Sequence, residues 1–127
     1  MKTKPIPSEK FDILLAFLPS FAEPERTFQN GWKGMAPIYP DDVAAFYRWA
    51  NDPIWMDYDY DPAIASQLIE DDTHIANATL AEIRTLLTFC VRGERFFDGH
   101  WAKMLENGRV QAILQRLQLL KEHSLAD

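Results

Sequence analysis

The stretch from Thr79 to Val91 constrains the fold of this chain more than any other. Thr79-Leu80-Ala81-Glu82 has the S/T-x-x-E spacing of a capping box, in which a hydroxyl and a carboxylate each satisfy a free backbone N–H at a helix start. Leu80, Ile83, Leu86, Leu87, Cys90 and Val91 then fall within about 140° of arc at about 100° per residue, the width of a core-facing stripe. A helix with one buried side is predicted here, and the rest of the chain must supply what covers it.

The same period recurs on both sides. Ser8 as a cap, followed by Phe11, Leu14, Leu15 and Leu18, predicts a first helix that stops near Pro19. Residues 22 to 40 hold Pro24, Asn30-Gly31, Gly34, Pro37 and Pro40, which predicts a long interrupted loop anchored by Trp32 and Tyr39. Asp41 or Asp42 caps a second helix presenting Val43, Phe46, Tyr47 and Ala50, with Trp49 off that stripe. Ile54 to Tyr60 reads as a loop, since one short extended piece without a partner makes no sheet. Asp61-Pro62 opens a third helix through Ile64, Leu68 and Ile69. After the turn at Gly99, a helix with Trp101, Met104 and Leu105 ends at Asn107-Gly108. A last helix carries Val110, Ile113, Leu114, Leu117 and Leu120 on one face.

At 127 residues and 47% hydrophobic, the chain is expected to form a single domain, 1 to 127, around one aromatic-rich core. The fold class expected is all-α, a compact bundle of about six helices with the long Pro/Gly loop after helix one.

The net charge of −6 disfavours a general grip on nucleic acid phosphates. It is unevenly spread: residues 41 to 72 carry Arg48 against nine acids, while residues 79 to 122 carry seven bases against five acids. Pairing within the fold is the plainer reading; an acidic segment that meets a cationic partner is the sharper one. The single cysteine, Cys90, leaves no internal disulfide and lies on an apolar stripe, which suits a reducing, cytoplasmic setting. Lys2, Lys4 and Lys10 before Ile13 to Leu18 superficially suggest a signal peptide, but Glu9, Asp12 and the short apolar run favour a core helix. No stretch reaches the roughly 18 apolar residues of a membrane span.

Arg84, Thr88 and Arg92 recur every four residues, with Arg95 extending the row beyond the helix. Guanidinium groups converging there would hold a carboxylate or phosphate through paired hydrogen bonds. Alternatively, Arg92 and Arg95 clamp Asp98, Glu94 or the acidic middle segment, or cap helix carbonyls. Asp98 and His100 flank the glycine turn and would be the proton carriers of an enzyme acting on an anion held by the arginines. In the structural alternative Asp98 caps the following helix and His100 sits on its first turn. The candidate ligand-binding set is thus Arg84, Thr88, Arg92, Arg95, Asp98 and His100.

Other chemistries fit less well. Asp57-Tyr58-Asp59-Tyr60-Asp61 alternates like the start of an EF-hand loop, but Pro62 stands where the turn needs Gly and Leu68 where a bidentate Glu is needed. Asp71 and His74 have the spacing of half a di-iron site without a second copy. His74, His100 and His123 are isolated, so no metal and no cofactor is expected. Cys90 has no adjacent His, and no Gly-x-Ser-x-Gly turn occurs.

Leu86-Leu87-Thr88, Val91-Arg92, Arg95-Phe96 and Gly99, then Glu106, Gly108, Ile113-Leu114 and Arg116-Leu117, resemble the signature of an uncharacterised prokaryotic family, number sixty-five oh eight in the domain-of-unknown-function series. Trp32, Pro37, Tyr39, Val43, Phe46 and Trp55 resemble its weaker N-terminal pattern, although Pro53-Ile54-Trp55 stands where Phe-Asp-Trp is often expected. The resemblance implies a small, mainly helical, soluble bacterial or archaeal protein with Arg92, Arg95 and Gly99 in its central turn, and no assigned activity. The expectation is a protein-interaction or anionic-ligand-binding module, with a homodimer through an aromatic patch as one form. The alternative is an enzyme that holds a small anionic substrate on Arg92 and Arg95.

Overall fold

The computed structural model describes residues 6–126, and side chains as far as His123. Its α-helices are α1 (Ser8–Leu15), α2 (Leu18–Phe21), α3 (Asp41–Ala50), α4 (Pro62–Leu68), α5 (Asp72–Ala76), α6 (Leu80–Arg92), α7 (His100–Glu106) and α8 (Arg109–Ala126). Short 3₁₀ turns at Pro53–Trp55 and Gly93–Arg95 and a two-stranded hairpin complete the described elements. Local chemistry explains most starts. Thr79 accepts from the Glu82 N–H while Glu82 accepts from the Thr79 N–H, so the capping box is formed. Asp61 accepts from the N–H groups of Ala63 and Ile64, and Gly108 takes the left-handed φ of 75° between α7 and α8.

Two short helices, α2 and α5, come in addition to those the apolar pattern predicts. Pro19 does not stop a helix; it lies in the first turn of α2, where its missing N–H has no intrahelical partner to lose. Ser8 is the first residue of α1 rather than its cap, which is Pro7. In α5, Asp71 accepts from Thr73 and His74, so this carboxylate serves as a cap for a helix too short to show a period. The long loop after helix α2 folds into an antiparallel hairpin of β1 (Trp32–Lys33) and β2 (Ala36–Pro37), turning at Gly34 with φ 64°.

α8 is the spine: it packs against α1, α2, α5, α6 and α7, while α6 also meets α3 and α4. Ile83, Leu86, Leu87 and Cys90 are fully buried, each apolar side chain of the Leu or Ile kind contributing about 1.5–3 kcal/mol relative to exposure. Buried hydrophobic residues from Phe11 to Leu117 form one cluster, rich in rings as the composition implies. Tyr47 stacks on Trp101 at 4.5 Å and donates its hydroxyl to the Trp101 carbonyl, while Trp101 Nε1 donates to the Val91 carbonyl. These bonds tie α3, α6 and α7 together at the turn that follows α6. No described helix is long and apolar enough to cross a membrane.

Candidate functional site

The chain between α6 and α7 is a tight turn with a locked base. Gly93 is buried and its carbonyl accepts from both Phe96 and Phe97 at 3.0 Å, and the Phe97 carbonyl accepts from His100 at 3.1 Å. Glu94 closes the base: its carboxylate accepts from the N–H groups of Gly99 (3.1 Å) and Trp101 (2.9 Å) and from the Tyr39 hydroxyl (2.8 Å). Gly99 has φ 89°, which a glycine supplies without strain, and the edge of Trp32 approaches it. The positive end of α7 is therefore met by a carboxylate. Burial and the facing Glu94 carboxylate push the Tyr39 hydroxyl well above its usual range.

Above that base the tip projects. Phe96 and Phe97 are 70% and 72% exposed, and Arg95 and Asp98 beside them are exposed too. Behind the tip lies a cleft of about 410 Å³ with Ile69, Phe89, Phe96, Phe97 and Met104 as apolar walls. Ser66, Glu70, Asp98, His100 and Lys103 supply its polar groups. His100 is 7% exposed, edge-on to Phe89 at 5.2 Å, and its Nε2 has no hydrogen-bond partner among the described residues. Burial lowers its pKa, against the opposing pull of Glu94 and the Phe89 backbone, which leaves the imidazole neutral.

Five of the six residues singled out by sequence divide between two places. Arg84 donates Nη2 to the Met56 carbonyl at 2.7 Å. Thr88, fully buried, donates to the Arg84 carbonyl and accepts from the Asp57 N–H, both at 2.8 Å. Arg92 lies over the rings of Tyr58 and Tyr60, at 5.2 Å and 5.7 Å. This row thus grips the segment Met56 to Tyr60, which connects α3 to α4. Arg84 and Arg92 engage different groups of this segment, and Arg95 forms no hydrogen bond or ion pair with another described residue. A hollow of about 460 Å³ beside Arg84 includes Asp57, Asp59 and Glu82, but Asp57 already accepts from Thr85 and from the Asp59 N–H.

Asp98 and His100 lie on the cleft instead. Asp98 does not cap α7: the cap residue is Gly99, and Glu94, reaching back from the preceding turn, holds the free N–H groups. A carboxylate directly before the glycine has no such reach once Gly99 turns left-handed. Among the described residues no group of three or more His, Cys, Asp or Glu is placed to hold a metal, and His74, His100 and His123 lie on three different helices. Cys90 is sealed in the core, and burial pushes its thiol up to about 12, far from a reactive thiolate. Periodicity gave no hint of Glu94, Lys103 or the Phe96-Phe97 pair as site residues. The one available signal is that two large apolar residues follow a helix end where turn chemistry calls for polar ones.

Fold and site together define a small helical domain: a ring-rich core that carries one turn between α6 and α7 and the cleft behind it. The chain belongs to a family of unknown function, DUF6508, which matches residues 6–123. No curated protein and no solved structure matches it.

Proposed function

We propose that this protein is a ligand-binding module whose site is the cleft behind the Phe96-Phe97 turn. One observation carries the reading: an apolar cleft of about 410 Å³, within the usual range of small-molecule sites, has the uncommitted charges of Asp98 and Lys103 at its edge. Neither side chain forms an ion pair with another described residue. Binding fits this geometry better than catalysis, because the buried imidazole of His100 is packed against Gly93 and its Nε2 is shut off from the cleft solvent. A cytoplasmic setting goes with this reading on the strength of a single, buried cysteine. The test is a titration of ¹⁵N-labelled protein with a library of small aromatic and aliphatic fragments. Amide shifts confined to Gly93, Phe97, Lys103 and Met104 are expected; a library that moves none of them ends the reading.

The exposure of Phe96 and Phe97 favours a second reading, self-association of two copies through the turn. With Trp32, 54% exposed and lying near Gly99, these rings offer on the order of 400 Å² of aromatic surface. A stable dimer buries about 800 Å² per partner, so the rings would form the centre of a weak interface. Sedimentation equilibrium is the test: Phe96→Ser with Phe97→Ser should abolish association, and a wild-type protein that stays monomeric at millimolar concentration removes this reading.

A further inference from the structure

Resting on the reading of the cleft as a ligand site, we propose that its ligand is the zwitterion of an apolar α-amino acid, an aromatic one fitting best. The charges around the cleft decide this. Glu70 is already paired with Arg109 at 2.8 Å, and Glu94 is spent on Tyr39 and the start of α7. What remains is one carboxylate, Asp98, and one ammonium, Lys103, of opposite sign, both exposed and not paired with each other. A ligand carrying a single charge pairs with one of them and leaves the other to water. A ligand carrying an ammonium and a carboxylate on one carbon offers each its counterpart. The Ser66 hydroxyl, which donates to the Ala63 carbonyl, keeps its lone pairs free to accept from an ammonium.

The walls decide the rest. Phe89, Phe96 and Phe97 present ring surface, and Met104 adds a thioether that packs well against aromatic rings. The neutral His100 ring, edge-on to Phe89, adds a wall that carries no charge. At about 410 Å³ the space lies at the small end of ligand sites, suited to a molecule the size of one amino acid. Two opposite charges at a ring-lined cleft orient such a molecule, with its side chain toward the rings.

Calorimetric titration of the intact protein with L-phenylalanine, 3-phenylpropionate and phenethylamine tests the class. L-Phenylalanine is expected to bind at least tenfold more tightly than either singly charged analogue. Lys103→Met should weaken phenylalanine at least tenfold and leave phenethylamine unchanged; Asp98→Asn should weaken phenylalanine and leave phenylpropionate unchanged. Both positions are exposed, and circular dichroism checks that each variant is folded. Equal affinities for the three compounds, or variants with no effect, overturn the amino-acid proposal while the cleft stands as a ligand site. If fragments shift the cleft amides but none of the three compounds binds, the proposal falls in the same way. If nothing binds in either experiment, both fall.

Discussion

Gly93 and His100 are packed so closely that a side-chain carbon built on Gly93 would overlap the imidazole at Nε2, Cδ2 and Cε1. Position 93 has an ordinary helical φ of −59°, so glycine is required there by the neighbouring ring and not by the backbone. The first residue of α7 is thereby set against the last turn of α6, which shapes the floor of the cleft.

Gly93→Ala should therefore destabilise the protein by about 2 kcal/mol, the scale of overpacking in a tight interior. His100→Ala alone removes the ring and leaves a gap, but it also makes room for a methyl at position 93. In urea unfolding, the double variant should be less destabilised than the sum of the single ones by about 1 kcal/mol or more. Simple additivity would show that the two residues are not in contact.

His100 also sets a pH dependence. Burial holds its folded pKa below the ordinary value of about 6.5, so between those two values the unfolded chain binds a proton that the folded one refuses. Its contribution is intact above about pH 6.5 and drains away as pH falls toward the folded value. Between pH 7 and 5 the wild type should lose more stability than His100→Asn does. Parallel curves for the two proteins would contradict a buried neutral imidazole.

Glu94 holds three donors at the base of the turn. Glu94→Ala should cost about 2 kcal/mol, since it strips a charged cap from α7 and leaves the Tyr39 hydroxyl without its acceptor. Tyr39→Phe removes one bond only and should cost about 1 kcal/mol. Hydrogen exchange separates the two roles: the Gly99 and Trp101 amides should exchange faster in Glu94→Ala but keep their protection in Tyr39→Phe.

Thr88 bridges α6 to the segment that follows α3. Thr88→Val keeps the shape and deletes the acceptor for the Asp57 N–H, a loss of about 1–3 kcal/mol for an unpaired group in a part-buried position. Thr88→Ser keeps both bonds and should cost less than about 1 kcal/mol. Equal losses for Val and Ser would mean that packing of the methyl, and not the hydroxyl, matters.

Part of the structure that depends on neighbours within about one helical turn is legible in the sequence, although the starts of α1 and α5 are not. Asp61, the Thr79–Glu82 box, the α6 stripe and the left-handed Gly108 all act over four residues or fewer. The candidate site was only half legible. Arg84, Thr88 and Arg92 do share one side of α6, as their spacing requires, but their partners lie 28 or more residues away and turn the row into a grip on Met56 to Tyr60. In the sequence Asp98 reads as a cap because it precedes the helix. Glu94 took that role because the 3₁₀ turn aims its longer side chain back at the same amides.

The chain alone determined the helical period, the Asp61 and Thr79 caps and the hydrophobic cluster, because each follows from local hydrogen bonding and from which side chains avoid water. Only the tertiary structure decided that Tyr39 would meet Glu94, that Gly93 would lie under His100, and that Asp98 and Lys103 would share a cleft with three phenylalanines. Those relationships join helices, hairpin and turn across space, and no spacing along the backbone encodes the packing that brings them together.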